Sequence, residues 1–279
     1  MQSQSEKGRL FRDLHHGDSA FIIPNPWDAG TARLLAGLGF PALATTSAGY
    51  AFSVGKPDGA VNRDAMIAHI ASIVSAVGVP VSADLQNGFG DSPEIVAESI
   101  RMAAEARAVG GSIEDASGRV DKPIYDKEFA ADRIRAAAEA AHGLPFPFVL
   151  TARAENHLYD RPNLKDTIER LQAYQQAGAD VLYAPGLRTR EDIHELVKSV
   201  DRPVNILMGI PGVYLDLMAL SALGVKRVSV GSSLSRVALG AFLAAAREMS
   251  SQGTFRFAEQ AVGYAELNAL FGSGEKGQK

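Results

Sequence analysis

Six times along the chain a helix-like segment ends in glycine and an apolar run follows at once. The sites are AGLGFPALATT, AVGVPVSADL, AVGGSIED, AHGLPFPFVLTAR, QAGADVLYAP and ALGVKRVSVGSS, marked by Gly39, Gly78, Gly110, Gly143, Gly178 and Gly224. Glycine just past a helix C-terminus takes the left-handed conformation without steric cost, so each marks a helix stop before a strand. The gaps between them are 39, 32, 33, 35 and 46 residues. The longest gap holds one more unit, KSVDRPVNILM, in which Asp201 replaces the glycine, and AFIIPN supplies a first strand at 20–24. Eight strand–helix units in about 230 residues predict an α/β fold, a (β/α)8 TIM barrel, rather than an open doubly wound sheet. The strands are continuous apolar runs such as FVLTA and VLYAP, as expected where both sheet faces are covered.

The helices carry their own punctuation. SPEIVAESIRMAAEARAVG has Ser92 as N-cap, Pro93 at the first helical position and Glu94 in the first turn. Ile95, Ser99, Met102 and Ala106 recur there at helical spacing. In NLKDTIERLQAYQQAG, Asn163 is the expected cap, and Ile168, Leu171 and Tyr174 share one face. The segment SSQGTFRFAEQAVGYAELNALFG adds an extra C-terminal helix whose apolar residues suit either a partner subunit or the barrel's own flank. No linker divides the chain, so residues 1–272 are read as one barrel domain and 273–279 as a disordered tail.

Composition narrows the function classes. The formal net charge is -4 and no Lys/Arg run occurs, which argues against nucleic acid or an anionic membrane as partner. The chain has no cysteine, which excludes disulfides, thiolate metal sites and a cysteine nucleophile. No apolar run approaches the roughly 20 residues that span a bilayer, and the polar start MQSQSEKGRLFRDLHHGD lacks a signal-peptide core. A cytoplasmic location is the expectation.

Active sites of barrels sit at the C-terminal ends of the strands, and there the polar residues collect. Strand two ends in Thr45–Tyr50, strand three in ADLQNGFGD with Asp84 and Gln86, strand four in Glu114 and Asp115, strand five in TARAEN with Arg153, strand seven in Asn205. Asp suits a strand interior poorly. Adjacent strands lie about 4.8 Å apart, so Asp84 and Glu114 are placed to share one cation. Hard oxygen ligands without His or Cys point to Mg2+, with Mn2+ as the alternative. Each carboxylate alone would equally cap a turn; the pair beside Arg153 favours function. Arg153 is suited to fork onto a substrate carboxylate or phosphonate, or to pair with Glu155 or Glu114. Ser47-Ala48-Gly49 offers backbone N–H groups to a carboxylate, or is a plain turn. Gly231-Ser232-Ser233 reads mainly as a helix cap, with a phosphate site after strand eight as the lesser reading. His15 and His16 are expected to be solvated, Trp27 to be core or a subunit contact, and His157 to be structural or a proton donor.

In order, SAGY, GKPDG, ADLQNGFGD, SIED, TARAEN and NILM resemble the isocitrate lyase/phosphoenolpyruvate mutase superfamily over nearly the whole chain. The resemblance implies a barrel that binds Mg2+ and an α-oxo acid, often a tetramer with a final helix exchanged between partners. It implies bond making or breaking through a pyruvate-enolate type of intermediate. Carried over by position, Asp84 is the metal aspartate and Glu114 holds metal-bound water. Ser47 and Gly49 meet the substrate carboxylate, Arg153 contacts substrate, Asp58 lies near the reacting centre, and Asn205 precedes the strand-seven loop. Gln86 stands where many members have a second metal-site aspartate. The Cys-Gly-His motif of the isocitrate and methylisocitrate lyases is missing from ASGRVDKPIYDKEF, which keeps Lys122. The resulting expectation is a Mg-dependent carbon–carbon lyase acting on an α-oxo acid or a 2-methylisocitrate-like acid. A lid at 116–129 would exclude water, and Tyr50, Asp58 or His157 would move a proton. C–P chemistry of the mutase or phosphonopyruvate hydrolase kind is the alternative within the family, and a non-catalytic oxo-acid-binding barrel is the alternative outside enzymes. A homo-oligomer, dimer or tetramer, is expected.

Overall fold

The computed structural model describes residues 2–272; the segment 273–279, expected as a disordered tail, lies outside the described residues. Eight parallel strands form one sheet: β1 (Phe21–Ile23), β2 (Leu43–Ala44), β3 (Val81–Asp84), β4 (Gly110–Glu114), β5 (Val149–Arg153), β6 (Val181–Tyr183), β7 (Val204–Leu207) and β8 (Arg227–Ser229). The spatial order is β1-β8-β7-β6-β5-β4-β3-β2. The seam between β1 and β2 is bridged by Ala44 N–H donating to Pro24 O at 3.1 Å and by the Asn25 amide donating to Thr45 O at 3.0 Å. The sequence expectation of a (β/α)8 barrel is therefore met.

Helices α2 (Ala29–Gly37), α3 (Ser47–Ser53), α4 (Arg63–Ala76), α5 (Pro93–Glu105), α6 (Lys127–His142), α7 (Leu164–Gln176), α8 (Arg190–Lys198) and α9 (Leu217–Ala222) follow their strands, preceded by α1 (Gln4–Leu14). Ser92 and Asn163 cap α5 and α7 as expected. The buried stripe of α5 runs through Val96, Ser99, Ile100 and Ala103 instead of Ile95, Ser99, Met102 and Ala106. Ile95 turns outward over Gly90, where an added Cβ would meet its side chain at 2.7 Å.

Half of the marker glycines act as expected: Gly39, Gly178 and Gly224 have φ of 87°, 106° and 89°. Gly143 does not, with φ -76°. Gly110 lies inside β4 for a different reason. A Cβ there would meet the Phe11 ring at 2.6 Å and Val149 O at 2.9 Å. Phe11 belongs to α1, which lies across the N-terminal end of the barrel and packs among Phe21, Val109, Val149 and Val181. A capping box starts this helix: Ser3 Oγ accepts the Glu6 N–H, and the Glu6 carboxylate accepts the Ser3 N–H. His15 is buried here, 2% exposed, against the expectation of a solvated side chain.

After β8 the long helix α10 (Ser233–Gln252) stands clear of the barrel with Val237 71% and Phe242 66% exposed. The extra helix α11 (Tyr264–Gly272) returns to α2 of the same chain, where Arg33 donates to Phe271 O at 2.8 Å. Among the described residues no helix is long and apolar enough to cross a membrane.

Candidate active site

Strand register brings three expected residues together, Asp84, Glu114 and Arg153. Glu114 and Arg153 end β4 and β5 as paired neighbours, with Tyr183 next on β6, while Asp84 ends β3 beside Ser112. Each nitrogen of the Arg153 guanidinium meets a carboxylate: Nη1 to Asp84 Oδ1 at 3.1 Å, Nη2 to Glu114 Oε2 at 3.1 Å, and Nε to Glu155 Oε1 at 2.8 Å. Its plane lies 5.2 Å from the Tyr183 ring centre. The ion-pair option for Arg153 is thus realised, and three carboxylates meet its charge.

Negative charge is in excess. Asp58, Asp84, Glu114 and Glu155 all act on this one guanidinium. Burial, followed by the Glu155, Asp84 and Asp58 charges, holds the Glu114 carboxyl well above its ordinary range, against the pull of Arg153. Burial and the Asp84 charge likewise raise Asp58. Asp58 reaches the site from an exposed loop: its Oδ1 accepts from Ser47 Oγ and from Gln86 Nε2, each at 3.3 Å. Gln86 sits at φ 50°, a left-handed residue that turns the chain directly after β3.

The SAGY segment opens α3. Ser47 N–H donates to Asp84 Oδ2 at 2.8 Å, and Gly49 N–H donates to the Thr46 cap hydroxyl at 3.2 Å. Two of the three amides expected to meet a carboxylate are therefore engaged within the protein; Ala48 lines the cavity without such a bond among the described residues. Tyr50 does not reach the cavity. Its ring stacks on His69 of α4 at 3.8 Å and 6°, held by the opposite face of α3. His157 is also displaced, because its side chain packs by Gly186 in a separate pocket with Nε2 buried and unbonded. Of the three expected proton carriers, only Asp58 lines the main cavity.

That cavity, about 180 Å3, runs from Asp58 and Asp84 at the mouth down the barrel axis to Asn205 and Arg227. Asn205 is fully buried, donating to Ser229 Oγ at 2.9 Å and accepting from Arg227 Nε at 2.9 Å. Beside the mouth a wider space of about 850 Å3 lies under the loop expected to form a lid. An isolated bridge, Ala116 to Ile124, closes that loop, and the lid ends at Asp126 because α6 starts at Lys127. Tyr125 and Arg119 tie it to Asp91, at 2.5 and 2.9 Å.

Two residues were not legible as site residues. Arg133, 1% exposed in α6, donates to the carbonyls of Asn87, Gly90 and Asp91 and of Glu114, so it pins the loop after β3 to the end of β4. Arg227 forms the cavity floor; its signal was a cation inside the apolar run VKRVSVG.

The donor set fits the expected divalent cation. The oxygens are hard, the local charge is negative beyond what Arg153 balances, and Mg2+ takes one or two carboxylates with its waters. Among the described residues no three acidic or histidine side chains already enclose an ion. Asp84, with Glu114 and Gln86 around it, are the residues that would hold one.

The phosphoenolpyruvate phosphomutase family model matches residues 11–250, so this α/β barrel belongs to that family of lyases and mutases. An uncharacterized protein of Mycobacterium tuberculosis is 35% identical over 93% of this chain and 95% of its own length. The 2-methylisocitrate lyase of Escherichia coli is 31% identical over 71% of this chain and 68% of its own. A solved structure, a candidate lyase/mutase from Burkholderia cenocepacia J2315, is 61% identical with a TM-score of 0.93 over 96% of each chain.

Proposed function

We propose that the protein is a Mg-dependent carbon–carbon lyase acting on an α-oxo acid or a 2-methylisocitrate-like acid. The observation that carries the reading is the surplus of carboxylates around Arg153 at the mouth of a small polar cavity. Structures of this fold include a phosphonopyruvate hydrolase with oxalate and Mg2+. The cation would supply an electrophile for the oxo and carboxylate oxygens. Arg153 holds Asp84 and Glu114 at fixed positions, so the donors need no rearrangement when charge develops on the substrate oxygen. The Ala48 N–H is placed to meet the substrate carboxylate. Asp58, with its carboxyl raised by burial and by Asp84, is the group placed to hold or pass a proton at the carbon released when the bond breaks. The loop 116–126, tied to Asp91, excludes water above it. The exposed apolar face of α10 serves a second copy of the chain in a homo-oligomer.

The test is release of pyruvate from oxaloacetate, 2-methylisocitrate and phosphonopyruvate, and of glyoxylate from isocitrate, with and without Mg2+. Metal-dependent turnover of one carbon acid, lost in Asp84→Ala and Glu114→Ala, is expected. Turnover of phosphonopyruvate alone would assign C–P chemistry instead. Turnover surviving both substitutions would remove the metal-site reading.

A further inference from the structure

Arg153 is the expected contact for a substrate anion, yet its charge is already met by Asp84, Glu114 and Glu155. The other cation lining the same cavity is Arg227, 5% exposed at the start of β8. Its partners are all neutral. Nε donates to Asn205 Oδ1 at 2.9 Å, Nη2 to Thr151 Oγ1 at 2.9 Å, and Nη1 to His15 Nε2 at 3.2 Å. His15 accepts there because its Nδ1–H is spent on Phe11 O, 2.7 Å away, which leaves Nε2 as the acceptor. A guanidinium has five N–H donors, so two remain without a partner among the described residues. No carboxylate lies within ion-pair reach of it among those residues.

A buried charge without a counter-charge is costly, and proteins keep one where something else supplies the opposite charge. Burial, with Arg153 as a lesser contributor, pulls the Arg227 pKa down to about 10, so it remains a cation at neutral pH. Around it the wall is hydroxyl-rich: Ser82, Ser112, Ser229 and Tyr183 all line the cavity. Ser229 Oγ donates to Tyr183 Oη at 3.5 Å, a long bond that is readily exchanged for a better acceptor. The cavity is thus acidic at its mouth and cationic at its floor. An anionic group on a bound molecule is attracted downward, to the charge of Arg227 that no carboxylate meets among the described residues.

We infer that Arg227, with the Ser229 hydroxyl, is a carboxylate subsite at the floor of the barrel that receives the distal carboxylate of a short dicarboxylic oxo acid. The inference rests on the α-oxo acid reading and adds the residue that selects a second carboxylate. A methyl group in its place leaves the two N–H donors and the charge unsatisfied, and rejection of an analogue that lacks the group a polar site expects is strong.

The experiment is calorimetric titration of the full-length protein, loaded with Mg2+, with three probes. Oxalate reports the oxo-acid end alone; oxaloacetate and 2-oxobutanoate differ only by a distal carboxylate against a methyl group. The wild type is expected to prefer oxaloacetate by about 10- to 100-fold, the scale of hydrogen bonds to a charged group. In Arg227→Gln the preference falls to within about threefold, while oxalate affinity is kept, as expected when only the distal contact is lost. If the Gln variant loses oxalate binding through misfolding, Ser229→Ala decides, with an expected fall of about 3- to 10-fold in preference. A preference that persists in a folded variant, or no preference in the wild type, overturns the subsite while oxalate binding upholds the oxo-acid reading. Failure of the wild type to bind oxalate overturns that reading, and the subsite falls with it.

Discussion

The two ends of this barrel are held together by opposite means. At the N-terminal end, α1 fits a phenyl ring into a space so close that β4 must carry a glycine beneath it. The His15 tautomer there is fixed by a carbonyl on one side and Arg227 on the other. At the C-terminal end, order comes from conflict: like charges crowd one guanidinium, and their neighbours are raised in pKa for it. Shape decides one end and charge the other, so the first should dominate stability and the second activity.

The largest expected effect is at the mouth. Asp84→Ala should reduce pyruvate-releasing turnover by about 1000-fold, the scale for removing a group that stabilises developing charge. Residual turnover above a tenth of wild type would mean that the acidic cluster is not where reaction occurs. At the floor, Phe11→Ala should cost about 3–5 kcal/mol, read as a shifted urea midpoint, with turnover per folded molecule retained. If instead activity vanished at unchanged stability, the contrast between the ends would be false.

The next effect is on pH dependence, where the ends differ in sign. Unfolded His15 takes up a proton near 6.5, while burial, and then Arg227, hold the folded value at about 3. Between these values the unfolded chain binds more protons, so stability falls as pH drops, by at most about 1.4 kcal/mol per unit. His69, lowered to about 4 by burial, adds a fall of the same sign. Glu114 is raised, so its contribution is complete below 4.5 and is lost as pH rises through the folded value. Urea midpoints between pH 7 and 4 should therefore flatten in His15→Gln and steepen in Glu114→Gln. Equal slopes in all three proteins would show that neither group titrates with folding. The smallest effect is at the lid: Lys122 pairs with Asp126 at 2.5 Å, both half or more exposed, and Lys122→Ala should shift stability by less than about 0.5 kcal/mol.

The barrel was legible because strand runs, helix caps and turn glycines each repeat and point to the same units, so that the three glycines without a left-handed φ did not mislead. Asp84, Glu114 and Arg153 were legible for a narrower reason: an ionised side chain at the end of an apolar run has few structural uses. What stayed hidden depended on direction. Tyr50 lies three residues from Ser47, yet α3 points its ring away toward His69. Gly110 looked like a helix stop, but the left-handed residue is Arg107, at φ 67°. The helix under the barrel carried a readable capping box, Ser3 to Glu6, inside a segment whose polarity suggested solvent. The role of Arg227 stayed hidden because its partners come from three distant segments, and no spacing in the sequence announces them.

The contact between His15 and Arg227 joins residues 212 positions apart. A ribosome makes the first of these 212 residues before the second. While the middle of the protein is being synthesised, the α1 segment has no strands from β5 onward to lie beneath, and its Phe11 ring faces water or a temporary cover. Completion of the barrel waits for β8, and a nascent chain stalled before residue 227 should be sensitive to protease in its α1 segment.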